Sequence, residues 1–233
     1  MIHIEHFTFN NFQTNCFLAW DENGKCAIID PGCSTEAEIS RLAGFIESKG
    51  LEPECILLTH CHFDHIYGMS ALAKAYEIPV YADMDEMYSL QVTNAQLCRL
   101  FGFPMPDEFP IVKTISEASI ASRAEFVMEG DMIPVGDLRF EVLRTPGHSK
   151  GGVCYLERDE KVLFSGDTLF AGAIGRTDHP GGDYDLLMRS IFEKLLMLEG
   201  DTRVLPGHGP SSDISTERMT NPFLMPFNEP NED

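Results

Sequence analysis

Three histidines and an aspartate lie within the segment THCHFDH, residues 59–65, directly after the apolar run CILL. His60 and His62 are two residues apart, so their side chains point the same way in an extended segment, and Asp64 continues the alternation. A helix that begins near Asp64 would turn Asp64 and His65 together toward a second point. Imidazole and carboxylate are the ligands that borderline divalent ions such as zinc prefer. One short segment can therefore supply ligands to two neighbouring metal ions.

Three further segments place a histidine or an aspartate after a predicted strand. They are PGHS at 146–149, SGDT at 165–168 and PGHGP at 206–210. In each, a glycine precedes the polar side chain and allows a sharp turn, which would direct His148, Asp167 and His208 into a shared cleft. Together with the first segment they contain five of the eight histidines of the chain. The pattern predicts a metal site at the ends of several strands.

Composition limits the possible partners of the protein. The 233 residues include 37 acidic and 17 basic side chains, a formal net charge of −20. Such a chain has no basic stripe for a nucleic-acid backbone, and the same charge disfavours an anionic membrane surface. No apolar run approaches the ~18 residues that a membrane span needs. The first residues show no secretory signal, and seven cysteines without a CxxC pair indicate reduced thiols, so we expect a cytoplasmic protein.

Strands and helices alternate along the chain. Strand patterns are IHIEHFTF, NCFLAW, CAIID, CILL and PVYA in the first half, and DLRFEVLRT, GGVCYLE, KVLFSG and TRVLP in the second. Helices are predicted from Thr35, where Glu38 completes a capping box, to Gly50, over His65–Glu77, and over Asp183–Leu198. Two strand–helix halves stacked into a sandwich would produce this layout.

The stretch from about residue 83 to 117 interrupts this pattern. It is rich in Met, Leu, Phe and Pro, and it predicts a helix to about Leu100 followed by an irregular apolar loop. An apolar insertion of this kind could cover a cleft, although plain core packing is an equal alternative. The acidic, proline-rich C-terminal tail is expected to fray.

The chain resembles the metallo-β-lactamase-fold hydrolases and, within them, the small glyoxalase II-like (hydroxyacylglutathione hydrolase-like) proteins. The resemblance rests on HCHFDH, PGHS, SGDTLFAGAIGRTD, LPGHGP and ERMTNPFL, and it extends from about residue 15 to residue 224. The HxHxDH pattern with the downstream His, Asp and His is specific to the superfamily. The GRTD loop and the terminal NPFL are more specific to the subgroup.

The resemblance implies an α+β fold, a four-layer αββα sandwich, formed by a single domain over 1–233 with a two-metal cleft at one edge. By motif match, the first metal would be held by His60, His62 and His148, the second by Asp64, His65 and His208, and Asp167 would bridge both. The expected cofactors are two divalent metal ions, zinc first, with iron or manganese as alternatives.

Two metals about 3.5–4 Å apart can hold a bridging water and lower its pKa enough to give hydroxide at neutral pH. Attack of that hydroxide on a carbonyl, with Asp64 also orienting the nucleophile, would hydrolyse an acyl substrate. A thioester suits the site because a thiolate, with a thiol pKa of about 8.5, leaves without a strong general acid. The expected function is hydrolysis of a small-molecule thioester such as S-D-lactoylglutathione, with Asp64 and Asp167 as catalytic residues.

Substrate contacts are predicted at Arg176, which could meet a carboxylate, and at Phe101 and Phe103 of the insertion; the same apolar stretch contains Leu97, Leu100 and Met105. Arg176 could instead only hold its own loop. Cys61 is expected to point away from the metals as a small buried residue. His179 is interpreted as a surface-loop histidine without a metal role.

Two other functions compete. Persulfide dioxygenase shares the fold and a similar GRTD loop, and it uses a single iron with a facial triad of two histidines and one aspartate. LPGHGP at 205–210 matches the hydrolase subgroup better. A lactonase or another acyl hydrolase on the same metals is the third alternative, and the sequence does not separate it. The sequence leaves the oligomeric state open.

Overall fold

The computed structural model of the chain describes residues 1–86, 88, 89, 96 and 124–225. The helix predicted from residue 83 to Leu100 differs at its start, where Asp83 ends a strand and Met84–Glu86 forms a 3-10 turn. Most of its remainder, the apolar loop after it and the C-terminal tail beyond residue 225 lie outside the described residues. So do Phe101, Phe103 and the other apolar residues proposed to cover the cleft. Within the described part, no helix is long and apolar enough to span a membrane.

The N-terminal half forms a six-stranded sheet whose strands follow one another in chain order. The strands are β1 His3–Phe9, β2 Thr14–Trp20, β3 Lys25–Ile29, β4 Glu52–Leu57, β5 Val80–Asp83 and β6 Ala124–Val127. The first three strands are antiparallel, and β3, β4, β5 and β6 run parallel to one another.

The C-terminal half forms a second six-stranded sheet and a short hairpin. The sheet strands are β7 Met132–Val135, β8 Leu138–Arg144, β9 Val153–Glu157, β10 Val162–Gly166, β13 Arg203–Pro206 and β14 Ser212–Asp213; the hairpin strands are β11 Leu169–Phe170 and β12 Ala173–Ile174. In space the sheet order is β14-β13-β10-β9-β8-β7. The strands predicted from sequence are confirmed to within a few residues, whereas β6, β7, β14 and the hairpin had no clear alternating pattern.

Helices cover the outer faces of the two sheets. They are α1 Glu36–Lys49, α2 Phe63–Ile66, α3 Met69–Tyr76, α4 Tyr184–Glu193 and α5 Ile214–Thr220, with 3-10 turns at Met84–Glu86 and Leu195–Met197. The capping box of Thr35 and Glu38 and the left-handed Gly50 at the end of α1 are confirmed.

Three apolar clusters define the layers. One packs α1 and α3 on the first sheet, the second lies between the sheets, and the third packs α4 and α5 on the second sheet. Alternate residues of β9 divide between two of them: Val153 and Tyr155 face the first sheet, and Cys154 and Leu156 face the helices. The structure therefore confirms the predicted four-layer αββα sandwich.

Two predicted helices differ from the structure. The helix expected over 65–77 is divided into α2 and α3 at Gly68, whose N–H donates to the carbonyl of Pro31 at 2.8 Å. A Cβ at Gly68 would lie 2.1 Å from the sulfur of Cys33, so this contact needs a glycine. The helix expected over 183–198 ends at Glu193 with Lys194 as its C-cap, and the 3-10 turn Leu195–Met197 follows. The Lys194 ammonium donates to the carbonyl of Arg144 at 2.6 Å.

Candidate metal centre

Strand direction brings the four sequence segments to one edge of the sandwich. Because β9 is antiparallel to both β8 and β10, and β13 is parallel to β10, the strands β8, β10 and β13 end at the same edge. His148, Asp167 and His208 follow these three ends. The first segment follows β4 of the facing sheet, and the carbonyl of Thr59 accepts from Val153 N–H at 2.8 Å across the two sheets.

A first cluster consists of His60, His62 and His148. The ring centroids are 4.6 Å apart for His60 and His62, 4.9 Å for His60 and His148, and 4.7 Å for His62 and His148. His62 Nδ1 lies 3.0 Å from His148 Nε2. All three side chains are buried, and one nitrogen of each lies within 4.8 Å of the others.

A second cluster consists of Asp64, His65 and His208. His65 Nε2 and His208 Nε2 are 3.3 Å apart, and Asp64 Oδ2 lies 3.4 Å from each of them. The carboxylate of Asp167 lies between the clusters. Its Oδ2 is 3.5 Å from the Nε2 atoms of His148 and His208, and its Oδ1 is 3.5 Å from His65 Nε2. The structure therefore brings all seven predicted ligands together.

Protein acceptors fix which nitrogen of each histidine faces the clusters. The Nδ1 atoms of His148 and His208 lie 2.8 Å and 3.1 Å from the carbonyls of Arg176 and Phe12. Each Nδ1 therefore carries the proton and leaves Nε2 as an electron-pair donor. His62 is the exception, because its Nδ1 is the nitrogen that faces the cluster.

Asp30 is the acceptor that orients two histidines of the segment 59–65. This role was not predicted from the sequence. Its carboxylate accepts from the N–H and the hydroxyl of Thr59 at 2.8 Å and 2.6 Å, and from His65 Nδ1 at 3.1 Å. The Thr59 hydroxyl in turn lies 3.1 Å from His60 Nδ1. A usable signal was present, because a carboxylate that ends the buried strand CAIID needs buried partners.

Two residues of the N-terminal hairpin were also missed. The hydroxyl of Thr14 donates to Asp64 Oδ2 at 2.7 Å, and the N–H of Asn15 donates to the carbonyl of Gly207 at 2.7 Å. The hairpin thereby holds both the first segment and the PGHGP loop. Such long-range contacts leave no trace in a local sequence pattern.

The predicted glycine turns have different physical causes. Gly147 has a φ of 137°, and a Cβ there would lie 2.3 Å from the backbone of Leu187 in α4. Gly207 is required for space, because its Cβ would lie 2.3 Å from Asp167 Oδ1 and 2.7 Å from His65 Cε1. A side chain at Gly207 would thus occupy the region between the clusters.

The two clusters differ in proton affinity. Burial lowers the pKa values of His60, His62 and His148 below the ordinary histidine value, and neighbouring imidazoles add to this effect. Burial also acts on His65, but the carboxylates of Asp64, Asp167 and Asp30 outweigh it and raise its pKa to about 10. The pKa of His208 is raised too, since Asp167 and Asp64 oppose its burial.

The donors fit divalent cations. Among the described residues, the buried atoms His60 Nε2 and Asp167 Oδ1 have no hydrogen-bond partner, which is costly for polar atoms in a protein interior. Nitrogen pairs only 3.0 Å and 3.3 Å apart would share a cation rather than bond to each other. Imidazole with carboxylate suits zinc, iron and manganese alike, so the chemistry of the donors leaves the metal open.

The clusters open into a cleft of about 530 Å³, part of which is open to solvent. Phe12 and Phe63 form an aromatic wall, with ring centroids 5.1 Å apart. Arg176 lines the cleft, and its guanidinium pairs with Asp178 at 2.7 Å and 3.0 Å. The arginine therefore both holds its loop and borders the cleft. Its contact with a substrate carboxylate stays a prediction.

The interpretation of His179 as a surface residue was wrong. Its ring lies 4.9 Å from the rings of both His62 and His148 and lines the cleft, and neither of its nitrogens has a hydrogen-bond partner of good geometry in the described part. The HPGG turn that follows Arg176 folds inward over the first cluster. Cys61 is buried outside the clusters, as predicted.

Fold and donor set define a histidine-rich metal-binding site of the αββα class, and the sequence comparisons agree. The family described as the metallo-beta-lactamase superfamily matches residues 10–208. Hydroxyacylglutathione hydrolase GloC of Haemophilus influenzae is 36% identical over 223 residues, covering 96% of this chain and 98% of that protein. The chain belongs to the metallo-beta-lactamase superfamily.

Solved structures give the same result. The BLEG-1 B3 metallo-beta-lactamase superposes with a TM-score of 0.81 at 37% identity, covering 95% of this chain and 99% of its own. TTHA1623 in a di-iron-bound form superposes with a TM-score of 0.77 at 34% identity, covering 94% and 100%. ETHE1 from Myxococcus xanthus gives a TM-score of 0.71 at 25% identity, covering 98% and 92%. Membership supports the predicted metallo-hydrolase class, whereas the thioester substrate stays a prediction.

Proposed function

We propose that this protein is a metal-dependent hydrolase of small-molecule thioesters, with a glutathione thioester such as S-D-lactoylglutathione as substrate. The observation that carries the proposal is the convergence of seven side chains into two adjacent clusters that share Asp167. The similarity to a hydroxyacylglutathione hydrolase over nearly the whole chain supports the substrate class.

His60, His62 and His148 would hold one ion, Asp64, His65 and His208 the other, and Asp167 both. Two divalent ions, when bound, lower the pKa of water toward neutrality and polarise a carbonyl group. The proposed ions are zinc, with iron and manganese as alternatives, because the donors accept each of them.

The chain itself orients these donors. Asp30 and the carbonyls of Arg176 and Phe12 keep four imidazoles with Nδ1–H outward, either directly or through Thr59, so no rotation of a ring is needed on binding. Thr14 holds Asp64 at 2.7 Å, which directs the carboxylate toward the cleft, where it can also orient a nucleophile. Preorganised polar groups in a buried site favour charge development in the transition state.

Substrate binding would use the cleft wall. Phe12 and Phe63 offer apolar surface to an acyl group, and the Arg176 guanidinium offers a partner for a substrate carboxylate that displaces Asp178. A thiolate leaving group needs no strong acid, and the cleft residues of the described part include none that is dedicated to this role.

The test is hydrolysis of S-D-lactoylglutathione by purified protein of known metal content, with Asp167→Asn as the inactive reference. Turnover that is lost in the variant supports the proposal. Two equivalents of metal without turnover would reject the thioester, and lactones and a β-lactam would then be assayed. One equivalent of iron with oxygen uptake on glutathione persulfide would replace hydrolysis by persulfide oxidation.

A further inference from the structure

Glu86 is a buried carboxylate that the metal clusters do not include. It ends the 3-10 turn Met84–Glu86 after β5, and only 1% of the residue is exposed. Burial raises the pKa of Glu86, while the side chain of Ser149, the backbone N–H groups of Cys61 and Gly151, and the side chain of Ser89 oppose that change. A carboxylate at this depth destabilises the fold unless its oxygens are hydrogen-bonded, so its partners indicate its role.

Those partners belong to the two segments that carry the first cluster. Glu86 Oε2 accepts from the N–H of Cys61 at 2.6 Å, and Oε1 accepts from the N–H of Gly151 at 2.9 Å. Cys61 stands between His60 and His62, and Gly151 follows three residues after His148. One carboxylate thus connects the segments of all three imidazoles.

The turn that carries Glu86 is itself anchored on both sides. Arg144, at the end of β8, donates to Asp83 at 3.1 Å and to Asp85 at 2.8 Å, so the second sheet holds the turn. The approach to the loop after His148 is close: a Cβ at Gly151 would lie 2.7 Å from Glu86 N and 2.8 Å from Asp83 Oδ1. Glu86 therefore has little freedom to shift relative to either histidine segment.

Glu86 has a counterpart on the other side of the centre. Asp30 bonds directly to His65 of the second cluster and, through Thr59, to His60. In the described part of the chain, Glu86 has no hydrogen bond to Asp64, His65 or His208. Glu86 therefore fixes the spacing between the His60–His62 segment and the segment of His148.

We propose that Glu86 is a positioning residue that sets the metal affinity of the first cluster and leaves the second cluster unaffected. The inference rests on the proposed metal site but does not depend on the substrate. Partners that orient metal ligands are typically worth 10–100-fold in metal affinity.

The experiment is a titration of the metal-stripped, full-length protein with Co²⁺ against a competing chelator, followed by absorption spectroscopy. His148→Ala and His208→Ala identify which equivalent and which visible band belong to each cluster. Glu86→Gln keeps size and one acceptor but turns an amide toward one of the two N–H groups. We expect 10–100-fold weaker binding of the equivalent that His148→Ala removes, with the other equivalent unchanged.

Glu157→Gln is the matched control. Glu157 is also buried and accepts a backbone N–H, that of Glu160 at 2.8 Å, at the opposite end of β9 from the metal centre. It should leave both equivalents unchanged. Gly151→Ala, which pushes the loop after His148 away from the turn of Glu86 without altering charge, should weaken the same equivalent as Glu86→Gln. If Glu86→Gln does not fold, Glu86→Asp and Gly151→Ala provide the same comparison.

The outcomes separate the two proposals. Equal weakening of both equivalents, no weakening of either, or the same loss in Glu157→Gln would overturn the role of Glu86. Wild-type protein that binds Co²⁺ at both clusters but does not hydrolyse thioesters would reject the proposed substrate and leave the titration of Glu86 valid. Wild-type protein that binds no Co²⁺ would reject both proposals.

Discussion

The two clusters of the metal centre use similar donors in opposite electrostatic surroundings. The first is three imidazoles whose pKa values are lowered, with burial as the main cause. In the second, His65 is held near a pKa of about 10 by Asp64, Asp167 and Asp30, although it is equally buried. The three carboxylates around His65 thus outweigh its burial, whereas Asp167, at 3.5 Å from His148, does not outweigh the burial of that imidazole. Ligand type alone therefore does not decide the proton affinity of a site.

The clusters also differ in what must leave when a cation binds. The imidazoles of the first cluster are neutral near pH 7 and can accept a metal directly. In the second cluster, His65 has to release a proton first, so metal binding there is coupled to pH. Four experiments test this contrast.

The largest effect is expected where the clusters meet. Asp167→Asn removes the carboxylate that both clusters share, so binding at both should weaken and thioester hydrolysis should fall at least about 100-fold, the upper range for partners behind ligands. Metal analysis and initial rates measure the two effects. Asp159→Asn, an exposed change in the turn between β9 and β10, is the control and should behave like wild type. Full activity of Asp167→Asn would contradict the proposed centre.

Single substitutions of one candidate ligand in each cluster should distinguish the metal equivalents of the two clusters. His148→Ala should lose the first equivalent and keep the second, and His208→Ala should do the reverse, because among the described contacts each imidazole belongs to one cluster. Elemental analysis of dialysed protein provides the count. Loss of both equivalents in either variant would mean that the clusters bind cooperatively rather than separately.

The stability of the metal-free protein should depend on pH with opposite signs in the two clusters. His65 has a folded-state pKa of about 10, above the ordinary value of 6.5, so its stabilising contribution is complete below about pH 6.5 and is lost as pH rises toward 10. The lowered pKa of His60 acts the other way, since the unfolded chain binds more protons below pH 6.5 and stability falls there.

Urea denaturation of chelated protein between pH 5 and pH 10 measures this contrast. The free energy of unfolding should change by up to about 1.4 kcal/mol per pH unit for each group. His65→Gln should flatten the alkaline part of the curve, and His60→Gln should flatten the acidic part. Identical curves for the two variants would show that the clusters do not differ.

The smallest effect on hydrolysis is expected for His179, which lines the cleft beside the first cluster. His179 borders the first cluster without belonging to either group of donors. His179→Leu should keep the full metal content and raise KM roughly threefold to tenfold, the value of one neutral hydrogen bond to substrate. His3→Leu, in β1, is the control. A loss of metal in His179→Leu would instead make this residue a ligand.

The sequence alone predicted the seven candidate ligands and most of the regular elements. The spacing of His60, His62 and Asp64 and the glycine before His148, Asp167 and His208 are local features, and local geometry decides which side chains leave the end of a strand together. Alternation and capping likewise predicted the long strands and α1. Short elements such as β14 and the division between α2 and α3 were not predicted, because they depend on contacts with distant segments of the chain.

Tertiary structure decided everything that depends on residues far apart in the chain. Asp30, Thr14 and Glu86 lie in three different parts of the chain and contact the centre through long-range hydrogen bonds, which no periodicity encodes. The inward position of His179 depends on a turn folding over His148, and the raised pKa of His65 depends on three carboxylates brought together by two sheets. The sequence can predict the donors of such a centre. The pKa values of those donors depend on charged groups that come together only when the two sheets pack against each other.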